Sequence, residues 1–134
     1  MTGRWMLVIG AVLGALGVMS GAFGAHALQG LLSDKAQGWY GTAVTYHAGH
    51  ALALLACGLL SLHTGQGPGS RWLQIAGICF TSGTFVFSGS LYAMAFTGIT
   101  RLGMITPIGG LLLIIAWCTL AVAASRLRPT PVGG

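Results

Sequence analysis

Apolar residues run through this chain in four long stretches, and fixed charges fall only between them. The charge-free runs cover residues 5–33, 36–70, 72–100 and 102–125, which is 29, 35, 29 and 24 residues. About 20 predominantly apolar residues cross the bilayer core as a helix, so each run is long enough for one passage. The pattern predicts an all-α membrane protein, a single four-helix transmembrane domain with spans near 5–28, 43–62, 72–95 and 104–125. Between the first two spans, Gln29 to Thr42 reads as a short interfacial segment. Ser33 or Asp34 is placed there to cap a short helix, and Trp39 and Tyr40 suit the headgroup level. His63 to Ser70 is a Gly/Pro-rich turn that divides the longest run, and 126–134 reads as a loose tail.

Composition removes other classes. Apolar residues make up 54% of the chain and 23 more are glycine, too little polar surface for a water-soluble domain. Six scattered cations against one acid, Asp34, form no basic stripe, so nucleic acid is not an expected partner. Cys57, Cys79 and Cys118 all lie within apolar runs, which argues against a disulfide framework. Arg4 and the triplet Ala25-His26-Ala27 imitate a signal peptide, but the apolar stretch from Trp5 to Ala25 is longer than such a segment requires, so a mature helix is expected. Arg4, Arg71, Arg126 and Arg128 flank one set of span ends and only Lys35 and Arg101 the other, which places both termini in the cytoplasm.

Small residues predict how the helices meet. At 100° per residue Gly10, Gly14, Gly17, Gly21 and Gly24 share one narrow face of the first span. The third span carries a stripe of Gly77, Thr81, Thr84 and Ser88, whose hydroxyls can bond to a neighbour or to their own backbone. Thr106-Pro107 reads as a cap and first helical residue, with Gly103 to Ile105 irregular, or alternatively as a kink in a longer helix. Gly109 and Gly110 admit a second backbone. Similar surfaces on the outside of so small a bundle predict a homo-oligomer.

With that topology His26, Tyr46, His47, His50, Ser88, Ser90, Tyr92 and Thr106 fall together in the outward half, and His47 and His50 lie shallow in the second span. A metal or haem site would draw on His47 and His50 at i, i+3 with His26 as a third nitrogen, although His26 points away from the glycine face. A proton path would run through Tyr46, His50 and Tyr92, without the buried carboxylate such paths use. Hydrolysis finds no nucleophile elbow and only Asp34 as an acid, so no catalytic residues are expected.

Four stretches, Gly21-Ala-Phe-Gly-Ala-His-Ala-Leu28, Trp39 through Tyr46 to Leu54, Phe87-Ser-Gly-Ser-Leu-Tyr92 and Thr106-Pro-Ile-Gly-Gly110, together resemble the small membrane proteins of the domain-of-unknown-function 423 group. The resemblance implies a four-span protein of the bacterial inner membrane and carries no activity or cofactor. Its motif positions are Gly21, Gly24, His26, Tyr46, His50, Ser88, Gly89, Tyr92, Thr106, Pro107 and Gly109. The combined expectation is a non-enzymatic structural or interaction protein whose polar cluster binds a lipid headgroup, a small solute or a partner helix. A histidine metal or haem site is the first alternative, and a small pore or proton path the second.

Overall fold

The computed structural model describes residues 3–127 and consists of four helices long and apolar enough to cross a membrane. They are α1 (Arg4–His26), α2 (Asp34–Thr64), α3 (Ser70–Thr97) and α4 (Thr106–Arg126). A short 3₁₀ helix, Thr100–Met104, joins the last two. The tail expected at 126–134 lies outside the described residues from Arg128 onward, and Arg126 itself ends α4.

Residues 34–42 of the expected interfacial segment form the beginning of α2, which runs unbroken from Asp34. Ser33 accepts a hydrogen bond from the Ala36 N–H at 3.2 Å, and the acid at Asp34 suits the positive end of the helix. Thr42 and Thr45 donate to the Gly38 and Gly41 carbonyls, satisfying their hydroxyls within the helix and leaving no break near residue 43. Gly103 to Ile105 are likewise not irregular, since the 3₁₀ turn and its cap cover them. Gly98 ends α3 in the left-handed conformation (φ 70°), where its N–H reaches the Met94 carbonyl.

Each helix packs antiparallel on the next, α1 on α2, α2 on α3 and α3 on α4. One polar connection pins α2 to α3, Ser88 Oγ donating to the Ala43 carbonyl at 2.8 Å across fully buried ground. Two cation–ring pairs mark the ends of the bundle. Lys35 lies 5.3 Å from the Trp39 ring and Arg126 5.0 Å from the Trp72 ring, as expected of anchors at the two membrane surfaces. Trp39 packs beside Met94 and Ala95, so the levels are separated by the 23 residues from Trp72 to Ala95, about 34 Å of helix. That matches a hydrocarbon core of about 30 Å. The level at Trp39, with the α1–α2 and α3–α4 connections, is the connection end below, and the other is the terminal end.

Candidate functional site

The polar residues expected as one cluster separate into three groups around α2 and α3. On the α1 side, His47 Nδ1 is hydrogen-bonded to Tyr92 Oη at 3.0 Å, and Tyr40 Oη donates to the Ser20 carbonyl at 2.6 Å. On the α4 side, His50 Nδ1 donates to the Tyr46 carbonyl at 2.7 Å, and its Nε2 accepts from the Trp117 indole at 3.2 Å. Those two bonds together specify a neutral imidazole protonated at Nδ1. Phe80 and Phe87 fill the space around His50 and Tyr46. The third group is the hydroxyl pair Ser90 and Thr106, 2.7 Å apart, which joins α3 to the start of α4. Thr106 thus spends its side chain on α3 and is not the cap of α4, a role that falls to Ile105 with no side-chain bond.

His26 joins none of these groups. It is exposed in the last turn of α1, because its side of that helix faces away from α2. The three imidazoles expected as metal ligands are therefore dispersed. Among the described residues no three His, Cys, Asp or Glu side chains gather as a metal ion requires. The proton path expected through Tyr46, His50 and Tyr92 is likewise divided, since Tyr92 pairs with His47 and not with His50. Both imidazoles also lie deeper than the shallow placement expected. His47 is eight residues past Trp39, about 12 Å below that level, because α2 begins earlier than its apolar run indicated.

A groove opens between α1 and α3, with α2 as its floor. It comprises a cavity of about 590 Å³ toward the connection end and one of about 140 Å³ further in, sharing Leu16 and Tyr92. Met19, Phe23 and Phe96 wall the first; Leu13, His47, Thr84 and Ser88 line the second. The groove exists because α1 packs on α2 and makes little contact with α3, chiefly near the terminal end and again where Ser20 meets the Tyr92 phenol. At the terminal end Trp5 Nε1 donates to Gln74 Oε1 at 2.9 Å, and a Cβ on Gly77 would stand 2.6 Å from Met6 Sδ. Gly89, one of the motif positions, has nothing within 4 Å of where a Cβ would be; its bare backbone lines the inner cavity.

Two buried polar atoms on residues that line that inner cavity, His47 Nε2 and Thr84 Oγ1, have no hydrogen-bond partner and are themselves sealed from the open space. Their residues are 6% and 4% exposed. Buried polar atoms are nearly always paired, so these two are exceptions. The sequence places Thr84 only in a packing stripe and Tyr40 only at the headgroup level, and it gives Ser20 and Trp117 no site role. The signal for Thr84 was its place one turn before Ser88 on the same face, and for Tyr40 the gap left by Gly24, whose Cβ would collide with the Tyr40 ring.

Residues 20–110 match the family described as "Protein of unknown function (DUF423)". The chain belongs to that family. It is 45% identical over 121 residues to a UPF0382 membrane protein of Staphylococcus epidermidis, spanning 90% of this chain and 94% of the relative. It is 42% identical over 124 residues to the UPF0382 membrane protein YwdK of Bacillus subtilis, covering 90% and 95%. The UPF0382 inner membrane protein YgdD of Escherichia coli K12 is 35% identical over 128 residues, 96% of this chain and 95% of the relative. No solved structure matches the chain. A DUF423 membrane protein with four apolar helices is thus established, and the matched segment contains Tyr40, His47, Thr84, Ser88 and Tyr92 of the groove.

Proposed function

We propose that this DUF423 protein is a non-enzymatic binding protein of the bacterial inner membrane, with both termini cytoplasmic, whose α1–α3 groove takes in an uncharged amphiphile from the bilayer. The observation that carries the reading is the open groove itself, whose lining is largely apolar and holds no Lys, Arg, Asp or Glu. The four-to-two distribution of cations supports the orientation, which puts the groove in the outward half. The wider polar cluster serves assembly: Ser88 holds α2 to α3, Ser90 and Thr106 hold α3 to α4, and the His50–Trp117 bond holds α2 to α4.

Leu16 lies on both cavities, so Leu16→Trp fills the passage between them. Native mass spectrometry of protein extracted in mild detergent reads the outcome. The unaltered protein retains an uncharged amphiphile, and the variant loses it about tenfold. Equal retention by a folded Leu16→Trp variant would overturn the groove as the binding site.

A further inference from the structure

We infer that the seam between α3 and α4 at the terminal end binds the headgroup of an anionic phospholipid, with Arg71 and Arg126 placed about Trp72 to take its phosphate. This surface is at the opposite end of the bundle from the mouth of the groove, and the inference stands whether or not the groove is filled.

Charge sets the first condition. The chain has one acidic side chain, Asp34, and that residue begins α2 at the connection end. Arg4, Arg71 and Arg126 are all exposed at the terminal end. The 31 residues of α2, about 45 Å of helix, separate the acid from them. Exposed charges act on one another over roughly 8 Å in physiological salt, so Asp34 neutralises none of the three. A guanidinium does not give up its proton, and at a membrane surface the counter-charge at hand is the lipid phosphate. A zwitterionic head brings that phosphate together with a cation of its own, which neighbouring arginines disfavour. An anionic head does not.

Geometry then selects the place. A Cβ on Gly69 would stand 2.8 Å from Leu127 Cδ2 and 3.0 Å from the Ala123 carbonyl oxygen, so the start of α3 lies directly against the end of α4. Arg71 is two residues beyond Gly69 and Arg126 immediately precedes Leu127, which brings both to this contact. The Arg126 guanidinium carbon lies 5.0 Å from the Trp72 ring. Stacking occupies the flat face of a guanidinium and leaves its N–H edge for two phosphate oxygens. The indole thus holds one arginine at the headgroup level beside the other. Arg4, exposed on α1, adds to the positive field of this end without belonging to the seam. The connection end supplies a contrast, because its own cation–ring pair, Lys35 on Trp39, has Asp34 as the adjacent residue.

The test uses full-length protein in nanodiscs of equal phosphatidylglycerol and phosphatidylcholine, with native mass spectrometry counting the lipids that stay bound on release. Phosphatidylglycerol is expected to be retained over phosphatidylcholine by about tenfold. The double variant Arg71→Gln, Arg126→Gln changes only exposed side chains, so it should elute and unfold as the unaltered protein does, with the preference reduced to within about twofold. Lys35→Gln with Arg101→Gln should leave the preference intact, and so should Leu16→Trp, which separates a lipid at the seam from any molecule in the groove. Equal retention of the two lipids would overturn the proposal, as would an undiminished preference in the Arg71, Arg126 variant. An equal loss in the Lys35, Arg101 variant would refute the seam, since overall charge would then be the cause. Displacement of the lipid by soluble glycerol 3-phosphate would make the occupant a free phosphate monoester and refute the lipid.

Discussion

Helix α1 meets its two neighbours in opposite ways. Against α2 it lies close over most of its length, with Gly10 on Leu55, Gly17 on Ala48, Gly21 on Val44 and Gly24 on Tyr40 in steady antiparallel register, parting at Gly14 and beside a cavity of about 230 Å³ at the connection end. Against α3 it makes contact at Trp5 and Met6 and again between Ser20 and Tyr92, with the groove opening around that second contact. Both interfaces are largely apolar with a few hydrogen-bonding side chains, Tyr40 on the α2 side and Gln74 and Tyr92 on the α3 side, and both belong to the same helix, so hydrophobicity does not separate them. In a bilayer it has little power to do so, because lipid tails solvate an apolar face as well as another helix does. What differs is the supply of bare backbone. The α2-facing side of α1 has a glycine at nearly every turn, whereas the α1-facing side of α3 has Gly77 at one end and then Thr84, Ser88 and Tyr92. Close approach is thus built by glycine, and the groove begins where the larger side chains on α3 hold α1 away.

The largest expected effect comes from disturbing the close side. A Cβ on Gly10 would stand 2.9 Å from Leu55 Cγ and 3.2 Å from the Leu55 backbone nitrogen, so Gly10→Ile forces the two helices apart. Overpacking of this kind costs about 1–3 kcal/mol. Equilibrium unfolding in mixed micelles should show that loss, and an unchanged midpoint would mean that α1 does not depend on its seam with α2.

On the open side the effects are smaller, because fewer atoms are in contact. Tyr92→Phe removes the phenol that holds His47 Nδ1, leaving both imidazole nitrogens without partners on the groove floor. Interhelical hydrogen bonds in membranes average about 0.6 kcal/mol, with an upper range near 1.7, so a loss of about 1 kcal/mol is expected in the same unfolding assay. A loss as large as that of Gly10→Ile would mean that the groove floor bears structural weight equal to the seam, and the contrast between the two faces would not hold.

The contrast also marks how far the sequence could be read. Four crossings follow from run length alone, and the glycine face of α1 follows from helical spacing, because both depend on one segment at a time. The start of α2 does not, since polarity across Gly38, Gly41, Thr42 and Thr45 resembles a loop until the threonine hydroxyls are seen bonded to their own carbonyls. The candidate site was legible as a level in the membrane and not as a set of partners. His47 and His50 are three residues apart, yet α3 stands between their directions, so one ring meets Tyr92 and the other Trp117. The separation of α1 from α3 depends on three helices at once. No single segment encodes it, and the unpartnered Thr84 hydroxyl came to notice only with the cavity it lines.

The smallest expected effect is the sharpest check on the role given to glycine. Gly14 lies on the same face as Gly10 and Gly17, yet a Cβ there meets nothing within 4 Å. The residue opposite in register is the small, buried Ala51, but a Cβ on Gly17, opposite Ala48, would be in contact at 3.6 Å, so the size of the facing residue alone does not explain the gap. Gly14→Ala should leave stability within about 0.5 kcal/mol of the unaltered protein, as expected of a substitution that meets no neighbour. Any gain would come from the better helix propensity of alanine, worth at most about 1 kcal/mol. A clear loss would mean that α1 and α2 approach more closely at that level than these contacts allow. The seam would then be continuous, and the spacing of glycines alone, without regard to what stands opposite, would govern the fit.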